Sequence, residues 1–187
     1  MKKHTATLSD IETNRYYLRK IENIDLQGIF DLDSNPAVRQ YLGIAPITTM
    51  EEAQSIIDYI KNQYDKYSIG RWAVIDKTSN EFVGWSGLKY ETEVRDDMDY
   101  YDLGYRLLEN HWGKGIATET SVASLRHGFE ELELTEIYAG ARIDNIASNK
   151  VLQKVGLTQM EVFDYDGMLH NWYKITKEEW IENQLVL

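Results

Sequence analysis

Hydrophobic positions follow two rhythms along the chain. In "TMEEAQSIIDYIKNQY" (49–64), Ala53, Ile56, Ile57, Ile60 and Tyr64 recur at helical steps on one face. Thr49 with Glu52 three residues later forms a capping box, so a helix is predicted to open there. Val122, Leu125, Phe129 and Leu132 step in the same way and predict another helix, from about residue 115 to about 132. "DYYDLGYRLL" (99–108) alternates instead, which places Tyr101, Leu103, Tyr105 and Leu107 on one face of a strand.

Further strands are predicted at 15–21, 71–76, 81–91 and 136–143, with turn residues 77–80 between the middle pair. A short helix is predicted over 23–33, and "SNPAVRQYLGIAP" (34–46) reads as an ordered loop with one helical turn. "SNKVLQKV" (148–155) reads as a short helix ended by Gly156. "QMEVFDY" and "LHNWYKI" flank Asp166-Gly167, a favoured two-residue hairpin turn, and "KEEW" adds a last turn. The order predicts a mixed α/β sheet, neither doubly wound nor a barrel. No repeat, low-complexity tract or proline-rich linker divides the 187 residues, so a single domain over 1–187 is expected.

Composition narrows the chemistry. There is no cysteine, which excludes disulfides, thiolate metal sites and an acyl-cysteine intermediate. His4, His111, His127 and His170 show no metal-ligand spacing, so no metal is expected. A net charge of -11 argues against nucleic acid. It suits a cationic partner such as an amine, or simply keeps the chain soluble. No apolar run is long enough to span a membrane, and "MKKHTATLSD" lacks the apolar core of a secretory signal. A cytoplasmic protein without membrane partners is the expectation.

The sharpest local signal is "ENHWGKGIATET" (109–120), with two glycines leading from a strand into a helix. A Walker loop would need serine or threonine after Gly113-Lys114, and a dinucleotide fingerprint would need glycine at Thr118; both fail. What remains is either an anion cradle at a helix N-terminus or a tight turn that uses glycine for its backbone angles.

"WGKGIA" resembles motif A of the GNAT N-acetyltransferase superfamily, Q/R-x-x-G-x-G/A, with Gly115 and Ala117 on its last two positions. Trp112 departs from the usual Gln or Arg, but "WGKGIATE" is similar to the RimJ/RimL branch. "ETNRYYLRKI", "SNPAVRQYLG", "DLGYRL", "DNIASNKVLQKVGL" and "KEEW" resemble further pieces of that branch, in the same order along the chain.

The resemblance implies a single GNAT-type domain, its mostly antiparallel sheet flanked by helices and splayed at an acetyl-CoA site. It implies that the pantetheine arm runs beside Tyr105, Arg106 and Leu107, and that Trp112, Gly113, Lys114, Gly115, Ile116, Ala117 and Thr118 wrap the pyrophosphate. Asn145 would reach the pantetheine or thioester. Asp102 stands where the branch commonly has Glu and is the candidate base; as a strand-end carboxylate it would otherwise pair with Arg106. Ser148 is the candidate acid, or else a helix cap, with Tyr165 and Tyr173 as alternative acids. Glu119 matches a branch glutamate or complements the helix dipole. The implied reaction is direct acetyl transfer from acetyl-CoA to a primary amine, a protein N-terminus or small cationic amine. The other reading is a non-catalytic acyl-CoA-binding regulatory module. Segments 34–46 and 92–98 and the last hairpin would build the acceptor pocket, and the family suggests a homodimer.

Overall fold

Residues 71–75 are buried on both faces, which marks their strand as central to the sheet. The computed structural model describes residues 9–185. Its strands are β1 (Ile11–Glu12), β2 (Tyr16–Lys20), β3 (Arg71–Asp76), β4 (Phe82–Glu91), β5 (Tyr100–Leu107), β6 (Glu136–Arg142), β7 (Thr158–Tyr165) and β8 (Met168–Thr176). They form one sheet in the order β1-β2-β3-β4-β5-β6-β8-β7. Every pairing is antiparallel except β5 with β6.

That parallel contact is confined to one residue pair, Asp102 opposite Tyr138. Beyond it towards Leu107, β5 and β6 share no further ladder partner. The sheet therefore opens there, leaving a strand edge with backbone groups available to a ligand.

The helices are α1 (Leu26–Asp33), α2 (Pro36–Arg39), α3 (Met50–Tyr67), α4 (Ile116–Arg126), α5 (Ile146–Lys154) and α6 (Lys177–Leu185). The capping box opens α3 as read from the sequence, with the Glu52 amide donating to Thr49 Oγ1. The helix continues a turn past Tyr64 and stops at Ser68, whose φ is +57°. Asn35 caps α2 by accepting from the Ala37 amide, and Pro36 occupies its first turn. Asp166 and Gly167 take positive φ, +53° and +77°, as a two-residue hairpin turn with this residue pair requires.

Three elements differ from the sequence expectation. The segment 23–33 begins with a 3-10 turn (Asn23–Asp25) before α1. The helix expected to reach about 132 leaves α geometry after Arg126 and finishes as a π turn, His127–Glu131. "KEEW" is not a lone turn but the start of α6. Two large apolar clusters fill the interior. Trp72, Leu18, Ile29 and Ile57 belong to one; Leu88, Leu103, Leu125, Phe129, Ile137 and Tyr173 belong to the other.

Candidate active site

The glycine turn and the sheet opening share one cavity of about 410 Å³. Tyr105, Arg106 and Leu107 line one side of it, with Trp112, Gly113, Gly115, Ile116, Ala117 and Thr118 at the turn. Asn145, Ala147, Ser148 and Val151 of α5 form the opposing wall. Lys114 and Asp102 are not among the lining residues.

Gly113 and Gly115 have φ of +73° and +76°, so both are in the left-handed region that favours glycine. Nothing lies within 4 Å of where a Gly113 Cβ would stand. The amides from Gly113 to Thr118 have no partner among the described residues; the first amide bonded within the turn is Glu119, to Gly115 O at 3.0 Å. Orphan N–H groups and the helix dipole therefore meet at an open surface, as an anion requires. Trp112 fixes the turn to the strand by donating its indole N–H to Leu107 O at 2.8 Å.

Glu119 acts from the far side of the turn. It accepts from Thr13 Oγ1 at 2.7 Å, the Arg15 amide at 2.9 Å and Arg15 Nε at 2.7 Å, while Arg15 Nη1 donates to Lys114 O at 3.0 Å. Burial pushes its carboxyl pKa up, but these donors together hold it net below the ordinary value. It is a tether between the first strands and the turn.

At the other end of the opening, Asp102 pairs with Arg71 and not with Arg106. Arg71 donates Nη2 to the Asp102 carboxylate, and Nη1 to Asp102 O at 2.7 Å and to Gly87 O. Gly104 makes room for this clamp, since a Cβ there would lie 2.6 Å from Arg71 Nη2. Burial raises the Asp102 pKa, against the opposing pull of Arg71 and Lys89. Arg106 is instead held by the buried Asp33, and burial lowers its pKa against that pairing.

Ser148 is not the cap of α5. Asn145 is, accepting from the Ser148 amide at 3.1 Å, so the serine hydroxyl is free for another partner. That partner is Tyr105, whose hydroxyl lies 2.9 Å from Ser148 Oγ. Burial pushes the Tyr105 pKa up to about 12, so the phenol keeps its proton at neutral pH.

The alternative acids lie elsewhere. Tyr173 is fully buried and donates to Asn149 Oδ1 at 2.7 Å, and Tyr165 sits exposed at the tip of the last hairpin. His111 lines the cavity as well; burial and then Lys114 lower its pKa. Ala37, Val38, Tyr41 and Leu42 also line this cavity, so part of the segment read as acceptor-side faces the glycine turn. Residues 92–98 close onto the last hairpin, where Arg95 pairs with Glu161 at 2.5 Å and lies 5.0 Å from the Trp172 ring centroid.

This arrangement agrees with a family model described as an acetyltransferase (GNAT) domain, which matches residues 15–158. The chain belongs to the GNAT acetyltransferases. It is 30% identical to the uncharacterized N-acetyltransferase YoaA of Bacillus subtilis over 162 residues, 87% of this chain and 86% of that one. Its fold is similar to RimL, a ribosomal L7/L12 alpha-N-protein acetyltransferase in complex with coenzyme A, with a TM-score of 0.74 at 20% identity. That match covers 90% of this chain and 98% of RimL. It is likewise similar to spermidine N-acetyltransferase from Vibrio cholerae in complex with CoA and spermine. There the TM-score is 0.72 at 19% identity, over 89% of this chain and 98% of the other. The enzyme is thus a GNAT N-acetyltransferase, a class that uses acetyl-CoA. The unpaired amides, the two left-handed glycines and the open strand edge fit that co-substrate.

Proposed function

We propose that this N-acetyltransferase moves acetyl from acetyl-CoA to a primary amine, of a protein N-terminus or a small molecule, by direct attack in a ternary complex. The observation that carries the reading is that the unpartnered amides of the Gly113–Thr118 turn and the open edge of β5 share one cavity, with Asp102 on β5 at the last ladder pair before the sheet opens.

Acetyl-CoA supplies an activated acetyl thioester when bound. Amides 113–118 would hold its pyrophosphate, and the edge of β5 at Tyr105–Leu107 would hold its pantetheine arm beside Asn145. Asp102, clamped by Arg71, would take the proton from the attacking amine, directly or through water. Asp is shorter than the branch's usual Glu, which favours the water relay. Ser148, with Tyr105 behind it, would return a proton to the departing sulfur. The branch likeness, "WGKGIATE" and a RimL-like fold, supports the amine-acetylating role.

Thiol release from acetyl-CoA with a panel of primary amines tests this. Turnover of at least one amine is expected. Tight CoA binding without turnover of any amine would overturn it.

A further inference from the structure

The face of β5 that carries Asp102 also carries more positive charge than its own carboxylates balance. Asp33, at the end of α1, has no exposed surface and takes two arginines on one oxygen: Arg39 Nε at 3.2 Å, and Arg106 Nη1. Arg71 and Asp102 lie on the same face, and Lys89 beside them is cancelled by Glu91. Three guanidiniums thus meet two carboxylates around Trp85, whose ring centroid is 4.9 Å from Arg106 Cζ and 5.3 Å from Arg71 Cζ.

Because Asp33 pairs through Oδ1 alone, its Oδ2 is left without a partner and neither arginine fork is filled. The two Nη atoms of Arg39, and Nε and Nη2 of Arg106, find no acceptor among the described residues and are not sealed from solvent. Arg39 is only 7% exposed. It lines a cavity of about 190 Å³, and Gln40 lines both that cavity and the larger one beside Arg106. Buried cations with spare donors are costly to keep unless an anion completes them.

We propose that Arg39 and Arg106, anchored on Asp33, form the anion-recognising end of the acceptor site, and that the acceptor is a primary amine that also carries a carboxylate. This rests on the acetyl-transfer reading above. A guanidinium fork matches a carboxylate with two parallel hydrogen bonds, whereas a polyamine would meet like charge. Asp102 and Arg106 stand four residues apart on one strand, roughly 13 Å between Cα atoms. Gly104 between them presents no side chain. Amine and carboxylate therefore sit several bonds apart, as in a dipeptide with a free C-terminus.

Steady-state thiol release with acetyl-CoA is measured for alanyl-alanine, its C-terminal amide, and spermidine. The free acid is expected to have a kcat/KM about tenfold or more above its amide, the scale of a charge-assisted hydrogen bond. Arg39→Gln should bring that ratio close to one. Equal values for acid and amide in the unaltered protein, or a preference for spermidine, would overturn the assignment. If no amine turns over, the acetyl-transfer reading fails instead. Calorimetric titration of the CoA-bound protein with acid and amide then decides recognition alone: tighter binding of the acid supports it, and equal or weaker binding overturns it.

Discussion

Arg71 clamps Asp102 at the last paired residue before the sheet opens, holding its carboxylate, its carbonyl oxygen and Gly87 O with one guanidinium. The candidate base is therefore fixed in place by a neighbouring strand pair.

Asp102→Asn should lower kcat by about 10²–10⁴-fold, the usual range for loss of a general base. The base works deprotonated and burial raises its pKa, so activity should fall on acidification at a pH above the ordinary carboxylate range. Arg71 opposes that rise. Arg71→Gln should accordingly move the acid limb of the kcat profile to higher pH. A limb that stays in place in Arg71→Gln would show that another group titrates.

Gly115→Val should abolish CoA binding, read by calorimetry. A branched side chain is strained at a φ of +76°, at roughly 1–2 kcal/mol, and its Cβ would lie 3.5 Å from Arg15 Nη2, which braces the turn. CoA at a hundred times its dissociation constant should stabilise the unaltered protein by about 2.7 kcal/mol and the variant by nothing. Retained binding would mean that the turn holds no phosphate.

The hydroxyl pair separates two roles. Ser148→Ala should lower kcat by about a hundredfold if the serine protonates the leaving sulfur. Tyr105→Phe removes only the group behind it and should cost under about tenfold by the same reasoning. A larger loss in Tyr105→Phe than in Ser148→Ala would transfer the acid role to the phenol.

Glu119→Gln tests the tether. The Glu119 pKa is depressed in the folded state, so its stabilisation is full above the unfolded value and is lost as pH falls through the folded one. Near neutrality the variant should lose about 1.5–3 kcal/mol, a melting shift of about 2–4 °C per kcal/mol. At acidic pH, with the carboxylate protonated, the two melting temperatures should converge.

The local patterns read well because each has a one-dimensional signature. Thr49 and Glu52 lie three residues apart, and Gly113 and Gly115 flank a helix start. Asp102 and Ser148 are singled out differently, by the resemblance of "DLGYRL" and "DNIASN" to the RimJ/RimL branch. Their partners could not be singled out, because Arg71 is 31 residues from Asp102 and Tyr105 is 43 from Ser148. Ser148 is not the N-cap because the helix starts earlier than its pattern suggested: Asn145 caps it by accepting from the Ser148 amide, which places Ser148 inside the first turn. The Asp33 centre was not legible either: Arg39 is only six residues away, but Arg106 reaches it across 73 residues of chain.

Gly128 sits over the seam where the two halves of the sheet part. A Cβ there would lie 2.8 Å from both Leu88 Cδ1 of β4 and Ile137 Cδ1 of β6. The π turn that carries it is pressed onto both halves at once, on the face away from Asp102. The opening between β5 and β6 is thus backed, on the other face of the sheet, by a turn with no room for one more carbon. A single added methyl at Gly128 would have to push Leu88 and Ile137, and with them β4 and β6, aside.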